Sequence, residues 1–174
     1  MKLKHLITSE ALQHSIVERV SWSADYYGAG VERKESPVAE GVIISVVDDD
    51  ESVRKAIKRL IKSVGISVND FASAEDFLSS GLCEEAACLI LDVRLPGMSG
   101  LELQSQLIAS NCTVPIIFIS AHDDGQDEAR ALKAGAIDFL QKPFSEVALF
   151  HAINLSLVIY RNDTSDASNQ DEPI

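Results

Sequence analysis

From Val42 onward the chain alternates between two hydrophobic periods. Val42 to Val47 is a short apolar run rich in β-branched residues, the pattern of a strand buried on both faces. Glu51 to Val64 then places Val53, Ile57, Leu60, Ile61 and Val64 at helical spacing, and Gly65 closes that helix. The cycle repeats four times. Ile66 to Phe71 predicts a strand before a helix over Ala74–Ser79, and Ala87 to Leu91 a strand before a helix over Leu101–Ser110. Ile116 to Ile119 precedes a helix over Asp127–Ala134, and Ala136 to Leu140 precedes a helix over Glu146–Tyr160.

Five strands, each followed by a helix, imply an α/β domain whose parallel sheet carries helices on both faces. Right-handed crossovers leave few topologies, and the flavodoxin-like (βα)5 doubly wound sheet with strand order 2-1-3-4-5 is the economical one. Ligands of such sheets bind outside the carboxyl ends of the strands, at the switch point. The repeating region spans residues 41–161. Residues 1–40 read as an extension: Leu12, Ile16, Val17 and Val20 suit a short helix, and Ser21 to Gly41 has no period. Asn162 to Ile174 has the composition of a disordered acidic tail.

The chain has 174 residues, with 15 Lys and Arg against 27 Asp and Glu, a formal charge of −12. Such acidity disfavours a nucleic-acid or membrane-surface binder and leaves a cation-binding protein open. The tail alone carries four acids and no base, which is ordinary solvation of a chain end. No apolar run reaches the length of a membrane span, and Glu10 and Glu18 interrupt any signal-like stretch. Cys83, Cys88 and Cys112 form no metal-binding pattern. An odd count without a framework is expected to give buried free thiols in a reducing, cytoplasmic setting.

The chemistry gathers at the predicted strand ends. Asp48, Asp49 and Asp50 follow the first strand, Asp92 the third, Ser120 the fourth, and Lys142-Pro143 the fifth. Singly, each has an ordinary explanation: a helix N-cap for the acids, a turn for the serine, a solvated loop for the lysine. Jointly, they meet at one edge of the sheet. Acids gathered without a cation repel and raise one another's pKa, and a hard ion such as Mg²⁺ resolves that conflict. Such a site suits phosphoryl transfer onto a carboxylate, with a cation and a hydroxyl neutralising the transferred oxygens.

These motifs resemble the receiver domain of two-component response regulators. The matching stretches are Val46 to Glu51, Leu91 to Gly100, Ile119 to His122 and Gly135 to Phe144, and the wording around Asp92 and His122 is most similar to the FixJ-like branch. The resemblance implies Asp92 as phosphoacceptor. It implies Mg²⁺ held by Asp49, Asp92 and the Arg94 carbonyl, with Asp48 assisting directly or through water. Asp50 then falls at the helix start, where a carboxylate suits the dipole. Ser120 and Lys142 would bind the phosphoryl group, and Pro143 would follow a cis peptide. Phe139 takes the aromatic switch position, opposite the alternative of a plain core aromatic. Arg94 and His122 flank the path of attacking water. A packed or hydrogen-bonding side chain is expected at His122, rather than a general base.

FixJ-like regulators carry a DNA-binding output domain, and Asn162 to Ile174 is too short and acidic for one. The expectation is therefore a stand-alone receiver, not an enzyme beyond its own phosphorylation and dephosphorylation. Its partners would be a sensor histidine kinase or histidine phosphotransfer protein and a downstream protein, with neither DNA nor membrane bound directly; a phosphorylation-dependent homodimer is compatible with this. A phosphorylation-independent interaction module and a phosphate sink stand as alternatives. A haloacid-dehalogenase-type phosphohydrolase needs a second Asp where Arg94 stands. Residues 1–40 are either a partner-binding helix with its linker or a leader from an early start codon, and the family's usual beginning favours the second.

Overall fold

The structure is a computed structural model that describes residues 42–122 and 125–167, with side chains as far as Tyr160. The helix expected within residues 1–40 lies outside the described residues. In chain order the elements are β1 (Ile43–Val47), α1 (Glu51–Ser63), β2 (Ser67–Phe71), α2 (Ala74–Ser80), β3 (Ala86–Asp92), α3 (Gly100–Ala109), β4 (Ile116–Ser120), α4 (Gly125–Lys133), β5 (Asp138–Gln141) and α5 (Glu146–Ala167). The five strands form one parallel sheet in the order β2-β1-β3-β4-β5, as the alternating periods predict.

Central strands of such a sheet meet helices on both sides, so they contain no solvent-facing position. Every residue of β3 is buried. Its alternate side chains feed two cores. On one face Cys88 and Ile90 join Ile44 and Val46 of β1 under Ile57 and Ile61 of α1 and Leu149, Ile153 and Leu157 of α5. On the other, Leu89 and Leu91 join Val47 and Phe118 under Phe77 of α2, Leu103 and Leu107 of α3, and Ala131 of α4. Each fully buried Leu, Ile or Phe contributes about 1.5–3 kcal/mol, so the two layers rather than helix propensity hold the elements in place.

Local chemistry sets most helix ends. Asp50 caps α1, its carboxylate accepting from the backbone N–H of Ser52 and Val53, and these bonds hold its pKa below the usual value. Ser99 and Glu102 form a reciprocal capping box at the start of α3. Two boundaries differ from the sequence reading. The strand expected from Ala136 begins at Asp138, because the N–H groups of Gly135 and Ala136 still bond back to Leu132 and Ala131 of α4. The helix expected to end at Tyr160 continues to Ala167, so Asn162 to Ala167 are helical rather than part of a disordered tail. No Gly or Pro precedes Pro173 to stop it.

The cysteines also differ from expectation. Cys83, in the α2–β3 loop, and Cys112, just past α3, are paired as a disulfide with their Cα atoms 6.4 Å apart. They are distant in sequence but meet because β3 and α3 return the chain to the same end of the sheet. Cys88 is free and buried as expected, and burial pushes its thiol up to about 12. Among the described residues no helix is long and apolar enough to cross a membrane.

Candidate functional site

The site forms where β1, β3, β4 and β5 end together. The Asp48 N–H still bonds to the Phe71 carbonyl (3.2 Å), extending the ladder one residue beyond β1. That keeps the Asp48 side chain wholly buried, whereas Asp49 has emerged into solvent. Asp92 is the last residue of β3 and is buried with 6% exposure. One carboxylate oxygen from each of Asp48, Asp49 and Asp92 lies within 4.8 Å of the others. Of the four acids that follow the strands, the structure thus brings together Asp48, Asp49 and Asp92, the three that the resemblance assigns, and places Asp50 outside them as the helix cap.

Lys142 leaves β5 and crosses to both buried acids. Its Nζ donates to Asp48 Oδ2 at 2.6 Å and to Asp92 Oδ2 at 2.5 Å. The other oxygens are also engaged: Asp48 Oδ1 accepts from the Asp50 N–H (2.8 Å) and Asp92 Oδ1 from the Arg94 N–H (2.9 Å). Burial raises the Asp48 pKa, and proximity to Asp92 adds to that against the pull of Lys142. For Lys142, burial lowers the pKa, but the hydrogen bonds to Asp48 and Asp92 outweigh it and the net shift is upward. The ammonium therefore stays charged. Three carboxylates facing a single lysine leave an excess of negative charge, with Asp48 fully out of water. Hard oxygen donors in such surplus fit a divalent cation of the Mg²⁺ kind. The Lys142–Pro143 peptide is cis.

The remaining candidates are at the rim. Ser120 ends β4 and is buried, but its hydroxyl donates to the His122 carbonyl and accepts from the His122 N–H, both at 3.1 Å. It is engaged with its own turn rather than with the acids. Of the packed or hydrogen-bonding side chain expected at His122, the packed alternative does not hold: the residue is exposed, and the turn fixes its backbone. The Arg94 guanidinium reaches Asp127 of α4 at 3.4 Å. Phe139 is half-buried beside Phe118, with ring centroids 6.3 Å apart and planes at 29°.

One contributor escaped the sequence reading. Arg54 on α1 donates from one guanidinium nitrogen to the backbone carbonyls of Asp48 (2.7 Å) and Asp49 (3.1 Å). Its Nε lies 3.8 Å from Asp70 of β2, which also pairs with Lys58. The arginine thereby fixes the peptide planes from which two of the three acids project. The available signal was its place four residues after the Asp50 cap, since helical side chains lean toward the N-terminus and over the preceding loop. On the opposite side, Glu75 of α2 accepts from the Met98 N–H (2.9 Å) and holds the β3–α3 loop. A tighter constraint is Gly100, the first residue of α3: a Cβ there would stand 2.2 Å from the Asp92 carbonyl oxygen.

Comparison with known proteins agrees with this geometry. The family model described as "Response regulator receiver domain" matches residues 44–154. Nodulation protein W of Bradyrhizobium diazoefficiens is 44% identical over 129 residues, covering 74% of this chain and 56% of that protein. The transcriptional regulatory protein FixJ of Rhizobium meliloti is 36% identical over 129 residues, covering 72% of this chain and 63% of that one. Among solved structures, the response regulator StyR superposes with a TM-score of 0.71 at 46% identity, covering 75% of this chain and 66% of StyR. The chain spans a little over half the length of the first curated relatives it matches. With the doubly wound sheet, the acids shared between β1 and β3 and the lysine of β5 all in place, this chain belongs to the response regulator receiver domain family of two-component systems.

Proposed function

We propose that this domain accepts a phosphoryl group on Asp92 from a sensor histidine kinase or a histidine phosphotransfer protein, and signals through contact with a downstream protein. The observation that carries this reading is the sharing of Lys142 between buried Asp92 and fully buried Asp48, with Asp49 beside them. Asp48, Asp49, Asp92 and the Arg94 carbonyl are the groups that would hold Mg²⁺. Bound there, the ion neutralises charge on the phosphoryl oxygens. A carboxylate oxygen of Asp92 attacks phosphorus as the bond to the donor imidazole nitrogen breaks, and the imidazole leaves with the electron pair. Lys142 already lies against Asp92 and pairs with a phosphoryl oxygen once the acyl phosphate forms.

On phosphorylation the Ser120 hydroxyl, now bonded to the His122 backbone, would turn to donate to another phosphoryl oxygen. Phe139, which stacks on Phe118 in the present state, would turn inward in response. The domain works in the cytoplasm and catalyses only its own phosphorylation and dephosphorylation. Incubation with acetyl phosphate and Mg²⁺, followed by intact mass measurement, tests the assignment. One added phosphoryl group, lost in Asp92→Ala and diminished by chelator, is expected; an unchanged mass, or a gain that survives Asp92→Ala, refutes it.

A further inference from the structure

The two cysteines brought together beneath the sheet have no part in the chemistry above. Cys83 and Cys112 sit at the end of the sheet opposite the carboxylates, with Cα atoms at 6.4 Å, inside the span a disulfide bridges without backbone movement. Both are half-buried and reachable from solvent, while Cys88 is fully buried within the other core. Its thiol, held at about 12, supplies almost no thiolate at neutral pH. Oxidation is thus directed to one pair. The segment between the paired residues contains β3, Asp92, the β3–α3 loop and all of α3. The Cys112 N–H bonds to the Leu107 carbonyl (2.9 Å), so Cys112 belongs to the closing turn of α3. The opposite end of that helix begins at Gly100, whose N–H bonds to the Val93 carbonyl (3.0 Å) directly after Asp92. A single rigid element runs from the cysteine pair to the acid cluster.

We propose that Cys83 and Cys112 are a reversible dithiol–disulfide modification site, through which the surrounding thiol pool sets how firmly α3 is tied to the base of β3. The oxidant is a low-molecular-weight disulfide of the glutathione class. A thiolate of one cysteine attacks a sulfur of that disulfide and releases one glutathione thiolate. The second cysteine, as thiolate, attacks the mixed disulfide at the protein sulfur and releases the other. Two protein thiols are oxidised, one glutathione disulfide is reduced to two thiols, and the two protons lost by the cysteines are taken up by the departing glutathione thiolates.

The test uses the full chain, reduced with dithiothreitol and then equilibrated in buffers of graded reduced to oxidised glutathione. The expected result is a loss of about 2 Da in monomeric protein, reversed by dithiothreitol under native conditions. The oxidised form should also melt about 10–15 °C higher, as closing a segment of this length predicts. Amide exchange over residues 99–112 should slow on oxidation. Cys83→Ser and Cys112→Ser, each folded by circular dichroism, should lose all three responses, whereas Cys88→Ala should retain them. An unchanged mass, a stable glutathione adduct, a disulfide-linked dimer, or a mass loss that persists in Cys83→Ser overturns the site. A bond that excess dithiothreitol cannot open in the native protein overturns its reversibility, as does unchanged exchange in α3 its coupling to the helix.

Discussion

Gly100 provides the most direct test of how the fold positions Asp92. In Gly100→Ala the new Cβ would stand 2.2 Å from the Asp92 carbonyl oxygen and 3.1 Å from both the Asp92 carbonyl carbon and Leu91 Cγ. Carbon and oxygen do not approach so closely, so the start of α3 must retreat from the end of β3 by about 0.8 Å to reach even 3.0 Å. The obstructing atom is backbone in a fully buried strand and cannot rotate aside. Overpacking of this kind costs about 1–3 kcal/mol, more than the gain of up to about 1 kcal/mol from replacing a helical glycine. Because the retreat falls on the residue that carries the reacting carboxylate, phosphorylation by acetyl phosphate should slow about 10–100-fold. Urea unfolding gives the stability, and a time course of intact mass gives the rate. Gly81→Ala is the control: φ is +70° with nothing within 4 Å, so left-handed backbone strain should cost about 1 kcal/mol and leave the rate alone. Wild-type stability and rate in Gly100→Ala, or equal rate losses in both variants, would refute the reasoning.

Other consequences follow from the same geometry. Lys142→Met leaves Asp48 and Asp92 facing each other without their shared cation, and should destabilise the chelator-treated protein by about 2–4 kcal/mol in chemical unfolding. Millimolar Mg²⁺ should recover part of that loss, and a Mg²⁺-insensitive unfolding curve would argue against cation binding at the acids. Arg54→Gln removes the cationic donor to two carbonyls and should cost about 1.5–3 kcal/mol, with a measurable fall in Mg²⁺ affinity by calorimetry. For Asp50 the hydrogen bonds from the Ser52 and Val53 N–H groups hold the folded pKa below the ordinary carboxylate value, so its cap adds stability above that ordinary value which disappears as pH falls through the folded pKa. Melting curves of wild type and Asp50→Ala should therefore differ at pH 7 and converge as pH falls below the ordinary carboxylate range; a gap that stays constant with pH would show that the carboxylate is not the cap.

Short apolar runs alternating with the 3.6-residue period were sufficient to find the ten elements of the described residues in their order, because both register directly in the placing of apolar residues. Where a boundary moved, at β5 or at the end of α5, the deciding groups were backbone N–H bonds and a missing stop signal, neither of which periodicity reports. Asp48, Asp49, Asp92 and Lys142 were also legible, since each follows an apolar strand and parallel strands of one sheet end on one side.

What the sequence by itself determined is which residues arrive at that edge. Only the tertiary structure decided what they do there. Lys142 spans 94 and 50 positions to reach Asp48 and Asp92, Arg54 turns back over the acidic loop, Ser120 bonds to its own turn, and Cys83 meets Cys112. A strand pattern specifies the direction and face of each side chain, but partners depend on crossover, register and depth of burial. Those are set only when the two cores close around the sheet, which is why the acids and Lys142 could be placed at one edge from the chain while the sharing of that lysine between Asp48 and Asp92 could not.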